Sequence, residues 1–156
     1  PPALPPAAPP LLTVVEGSCT VTDGGRCAQS PNWPEAYDTT SCEIVAARPF
    51  RIAVEAWDVA DTGSTGSYCQ VWGGDHDYLQ LTFVGTSGWV GNWEYCNTND
   101  GPVSPNNVYM DGRYGNTLSE PIRWFANGGN PNGATGWRLC EAHEPPPPSP
   151  PPPSPS

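Results

Sequence analysis

Lysine is absent from this sequence, and its only strong cations are six arginines, set against 16 carboxylates for a formal charge of −10. Nucleic acid and anionic membranes both require a cationic footprint, so neither is expected as a partner. Calcium, a basic protein surface or plain solubility suits such a charge. No apolar run approaches the ~20 residues of a membrane span. No signal peptide is visible and residue 1 is Pro1, not methionine, so a mature or excised segment is expected. No Asn-x-Ser/Thr acceptor occurs, and N-glycosylation is not expected. CxxC pairs are missing too, which argues against a zinc site.

Proline is abundant, and its placement is uneven. Of 22 prolines, 15 lie in PPALPPAAPP at residues 1–10 and PPPPSPPPPSPS at residues 145–156. Proline fixes φ near the polyproline II value and lacks an N–H, so these runs join neither helix nor sheet. They are expected to be solvated rods rising roughly 3.1 Å per residue. One domain of modest core is left between them, at residues 11–144.

All six cysteines, Cys19, Cys27, Cys42, Cys69, Cys96 and Cys140, fall inside that domain. An even count, widely spread, argues for disulfides and an oxidising, extracellular setting. Spacing alone does not choose the pairing. The pattern is all-β: Phe50, Ile52, Val54 and Ala56 alternate with Arg51, Ala53, Glu55 and Trp57, and Leu79, Leu81 and Phe83 alternate with Tyr78, Gln80 and Thr82. Ile122–Phe125 and Gly136–Cys140 read as short strands. Asp111-Gly112 between Val108–Met110 and Arg113-Tyr114 is a hairpin signal. Long loops are expected at 58–76, 85–107 and 126–135.

Catalysis has little to stand on. His76 sits in a Gly-rich loop and His143 beside the proline run, and neither belongs to a motif pairing it with a nucleophile. The seven tryptophans are the more informative excess. Trp57, Trp124 and Trp137 lie in strands and are expected to pack. Trp72, Trp89 and Trp93 lie between glycines in long loops, where exposed indoles stack on sugars or anchor protein contacts.

Ser30-Pro31-Asn32-Trp33-Pro34, then Tyr37, then Cys42-Glu43-Ile44 resembles the opening of a CUB domain, with Cys19 and Cys42 in its two cysteine places and Trp33 replacing the usual tyrosine. The resemblance runs over about residues 14–140, through Phe50–Trp57, Asp77-Tyr78-Leu79, Ile122–Phe125 and Gly136-Trp137. It implies a disulfide-bonded two-sheet jelly-roll sandwich that binds proteins or sugars. Cys27 and Cys140 depart from the commonest pattern and resemble a microbial and algal variant ending GW-x-x-C. The segment 58–107 is long for the family, leaving Val108–Gly115 as a rival for the strand assigned to Asp77 onward. The preferred bonds are 69–96, 19–42 and 27–140, with 19–27 and 42–140 as the rival set. The family's calcium places fall on Asp61 (or Asp58), Asp77 and Asn127. An amide at the third should weaken such a site, because calcium affinity rises with ligand charge.

The repeated Ser-Pro-Pro-Pro-Pro is similar to extensins and to the hydroxyproline-rich glycoproteins of green-algal walls, including pherophorins. That resemblance implies hydroxylation and O-linked arabinose or galactose on Pro145, Pro146, Pro147, Pro148, Ser149, Pro150, Pro151, Pro152, Pro153 and Ser154. The two resemblances together imply a non-catalytic extracellular structural glycoprotein of a cell wall, matrix or flagellar filament. Its partners would be other matrix proteins, their glycans or further copies of itself. The alternative is a secreted lectin-like module, assisted by calcium.

Overall fold

The computed structural model describes residues 3, 9–63, 69, 76–85, 87–110, 118–143 and 151–155. Eleven strands follow one another among them: β1 Leu12–Gly17, β2 Thr20–Thr22, β3 Cys27–Gln29, β4 Cys42–Ala46, β5 Phe50–Asp58, β6 Asp77–Val84, β7 Val90–Thr98, β8 Gly101–Val103, β9 Tyr109–Met110, β10 Ile122–Ala126 and β11 Gly136–Glu141. A single 3-10 turn at Asp23–Gly25 joins β2 to β3. No α-helix occurs among the described residues, so none is long and apolar enough to cross a membrane as a helix.

Two antiparallel sheets result. One has the order β1-β4-β10-β6-β7-β8 and the other β2-β3-β11-β5-β9. Alternation decides what each strand buries. Leu79 and Leu81 of β6 are buried while Tyr78 and Gln80 are half-buried, and Ile122, Trp124 and Ala126 of β10 are buried while Arg123 and Phe125 are not. The second sheet supplies Phe50, Ile52, Trp137 and Leu139 to the same core. Trp124 and Trp137 are fully buried and meet edge to face at 5.8 Å, and Tyr37 meets Trp124 in the same way at 5.2 Å. Such edge-to-face pairs add to area burial, and truncating a buried tryptophan to alanine costs about 3–5 kcal/mol.

Gly136 opens β11 with φ at +96°, and a Cβ there would fall on the Ser30 side chain. Ser30 Oγ accepts the Trp137 N–H at 3.0 Å, so the SPNWP segment is pinned to β11 through a position that only glycine fills without strain.

The disulfides are Cys19–Cys42, Cys27–Cys140 and Cys69–Cys96, the first of the two sets weighed from sequence. Cys27 and Cys140 are direct cross-strand partners on β3 and β11, 113 residues apart. Closing so long a loop constrains the unfolded chain, and losing the bond costs about 2–5 kcal/mol.

One expectation fails outright. Residues 85–107 are not a long loop: they contain β7, whose Val90–Tyr95 pairs with Leu79–Val84 of β6, and β8, which pairs with Cys96–Thr98. Gly91, Asn92 and Asn97 disguise this strand, and cross-strand pairing overrides their low local propensity. Within the expected hairpin, Tyr109 and Met110 pair with Arg51 and Phe50 of β5. Asp111, Gly112, Arg113 and Tyr114 lie outside the described residues. Most of both proline runs, including Pro145–Pro150, also lies outside them. Pro151, Pro152, Pro153 and Ser154 are exposed and form no regular secondary structure.

Candidate functional site: the aromatic tip of the β6–β7 hairpin

The hairpin of β6 and β7 starts inside the core and ends outside it. Directly opposed residues in an antiparallel ladder share a face. The core-facing row therefore runs Leu79 with Tyr95, Leu81 with Trp93, and Phe83 with Gly91. Leu79 and Leu81 are buried, but Trp93 is 51% exposed and Trp89, in the connecting turn, is 57% exposed. The outward-facing Val84 and Val90, paired at the end of the ladder, are exposed as well.

Phe83 organises this tip. Its ring lies 4.9 Å from Trp89, edge to face, and 5.1 Å from Trp93, tilted. Both indoles therefore touch one phenyl ring, and their centroids are at most about 10 Å apart. Two glycines make the arrangement possible. A Cβ on Gly85 would strike the Trp89 indole, and one on Gly91 would strike both Phe83 and Trp89. The turn is closed by the Gly85 N–H donating to the Trp89 carbonyl at 2.7 Å and the Gly88 N–H donating to the Gly85 carbonyl at 2.9 Å. On the other face of the hairpin, Thr82 donates to the Asn92 side-chain oxygen at 3.1 Å. Residues 78–93 contain no charged side chain. The tip thus offers fixed aromatic faces and neutral polar groups, which suits stacking and desolvation.

Trp72, the third of the expected binding tryptophans, lies outside the described residues. Trp33 is half-buried beneath the Arg138 guanidinium, 5.5 Å from its ring centre. Trp57 donates its indole N–H to the Cys96 carbonyl at 3.1 Å, tying β5 to β7. His76 is buried, with Nε2 3.3 Å from a Glu94 carboxylate oxygen, and His143 is exposed.

Asp77 and Asp58 lie near Tyr37, at the end of β6 away from the aromatic tip. Asp77 is 1% exposed; its Oδ2 accepts the Tyr37 hydroxyl at 2.6 Å and its Oδ1 accepts the Gly128 N–H at 2.6 Å. The Tyr37 oxygen in turn accepts the Ala60 N–H at 2.9 Å. Burial first, and then the hydrogen bond to Asp77, raise the Tyr37 phenol well above the ordinary tyrosine range. Asp58 accepts both the N–H and the hydroxyl of Thr135. Asp61 accepts the N–H of Gly63 in its own turn, and Asn127 is exposed.

Among the described residues, no group of three that includes Asp58, Asp61 or Asp77 brings its ligand atoms within 4.8 Å of one another. The closest trio of potential ligands among the described residues is Cys27, Glu55 and Cys140, and two of these are joined in a disulfide. Asp77 accepts from Tyr37 and Gly128, and Tyr37 links it to the Ala60 N–H. Sequence reasoning missed this role for Tyr37, although its place after SPNWP was visible. It also missed Phe83 as the platform under the two indoles, for which the uncharged run at 78–93 was the available signal.

No family model, curated protein or solved structure matches the chain.

Proposed function

We propose that this chain is a non-catalytic structural segment of an extracellular assembly, a CUB-like jelly-roll bead carried on glycosylated polyproline II arms, and that it docks to its neighbours through the β6–β7 tip. The carrying observation is the tip itself: two half-exposed tryptophans, fixed on one phenyl ring by two glycines, in the charge-free stretch 78–93 of a chain of charge −10. A solvated surface rarely presents preorganised indoles without a partner, and rigid aromatics are the residues that dominate interface energetics. Three disulfides support an oxidising environment outside the cell. The proline runs support a spacer role, in which stiffness sets the distance between beads.

A lectin-like reading has one observation in its favour, since the same indole faces stack on sugars. Incorporation separates the two. The full chain and its W89S/W93S variant are supplied to the native extracellular matrix of the source cells, and the bound fraction is measured with and without competing soluble sugars. Loss of incorporation in the variant, unaffected by sugar, supports protein docking. Equal incorporation of both chains overturns it, and competition by one sugar favours the lectin-like reading.

A further inference from the structure

We infer that the ligand of the β6–β7 tip is the proline-rich arm at residues 145–156 of a second copy of this chain, so that copies join head to tail. The inference rests on the docking reading above and names its partner.

Chemistry and charge select this occupant. At −10, two copies repel each other over most of their surfaces. Residues 78–93 and residues 145–156 are both free of charged side chains, so bringing them together adds no like-charge contact. A sequence of this kind presets polyproline II, and such helices are recognised by aromatic-lined surfaces because little entropy remains to be lost on binding. Proline rings lie flat on indole faces.

One polyproline turn is about 9.3 Å, from three residues at ~3.1 Å each. The Trp89 and Trp93 ring centres are at most about 10 Å apart, so both indoles fall within reach of a single turn or so of one rod. Only Ala142, His143 and Glu144 separate β11 from the first proline of the arm, so a stiff rod has little chain with which to double back onto its own bead. A contact between a tip and another copy's arm is heterologous. Such contacts do not close on themselves unless a rotation makes a ring, and otherwise generate open filaments.

The test uses the full chain with its disulfides intact. The synthetic, unmodified peptide PPPPSPPPPSPS is titrated in while tryptophan emission is recorded, with a Gly/Ser peptide of equal length as control. Saturable change with the proline peptide alone is expected, weakened at least about tenfold in W89S and in W93S, as for hot-spot aromatics. No saturable response, or equal binding by the variants, overturns the inference.

A second arm of the test mixes two full-length variants, W89S/W93S and one with Pro145–Pro148 and Pro150–Pro153 replaced by Gly/Ser. Each alone should sediment as a monomer, their mixture as a dimer, and the parent chain as species that lengthen with concentration. Association of the arm variant equal to that of the parent overturns the inference. If the peptide fails to bind while W89S/W93S still blocks incorporation into matrix, the arm is the wrong partner and docking through the tip stands. If the peptide binds while incorporation is unchanged, the arm site stands and the docking reading falls.

Discussion

The Tyr37 hydroxyl donates to the buried Asp77 carboxylate at 2.6 Å while accepting the Ala60 N–H at 2.9 Å, so one phenol oxygen joins the segment after SPNWP, the end of β5 and the start of β6. Tyr37→Phe leaves a buried carboxylate short of one donor and an amide short of its acceptor. The expected cost is about 1.5–3 kcal/mol, the range for hydrogen bonds to charged groups, read as a lowered urea midpoint. The same contact sets an alkaline limit. The Tyr37 phenol is held above its unfolded value, so the folded state keeps a proton that the unfolded state loses near pH ~10. Its contribution to stability is full below that pH and falls as pH rises further; Tyr37→Phe removes this part of the alkaline decline.

At the acid end, Glu141 behaves in the opposite sense. Arg48 holds it in a two-point contact, Nη1 to Oε1 at 2.7 Å and Nη2 to Oε2 at 3.0 Å, and Arg26 stands nearby. The hydrogen bond from Arg48 is the main reason its carboxyl titrates below the usual glutamate range, against the opposing effect of burial. A depressed folded pKa contributes stability above the unfolded value, about 4.3, that disappears as pH falls through the folded one. Glu141→Gln should flatten the acid limb of stability against pH below about 5, with a modest effect at neutral pH because the pair is near the surface. An acid limb identical to that of the parent would contradict this.

Arg138 is the densest polar junction of the second sheet. Its guanidinium donates to Glu55 at 2.8 Å, Thr22 at 2.8 Å, Gln29 at 2.7 Å and Asp23 at 2.9 Å, with Trp33 against its face. A lysine carries the same charge but not the planar fork that reaches four acceptors. Arg138→Lys should therefore recover less than half of what Arg138→Met loses, the latter being about 1–3 kcal/mol, measured by denaturant unfolding. Stability of Arg138→Lys equal to that of the parent would show that the charge alone matters and would contradict this.

The proline arm gives a covalent prediction. Peptide 145–156 from native material should carry oxidised prolines and mass increments in pentose steps that disappear on deglycosylation. Bare proline throughout that peptide would reduce the arm to a plain spacer and remove the glycoprotein part of the account.

Much of the β architecture was legible because it rests on alternation. The rows Phe50-Ile52 and Leu79-Leu81 announce strands with one buried face, and these strands lie in the two sheets of the sandwich. β7 was hidden for a physical reason: Gly91, Asn92 and Asn97 are poor strand formers that interrupt Val90, Trp93 and Tyr95, and Gly91 is present because Phe83 and Trp89 occupy the space a side chain would take. Trp89 and Trp93 stood out as indoles in a glycine-rich context, yet nothing local indicated that Phe83 would lie between them, since that contact depends on the β6–β7 register. Asp77 was visible as an acid beside a strand. Its use as an acceptor for Tyr37, 40 residues away, is a tertiary fact.

Oxidative footprinting of Trp89 and Trp93 in native assembled material, compared with the released chain, tests the central claim most directly. Docking through the tip predicts that both indoles are protected in the assembly and oxidised after release, while buried Trp124 and Trp137 stay protected in both. Equal oxidation of Trp89 and Trp93 in the two states would contradict it, leaving the tip as free surface and the arms as the only assembling element.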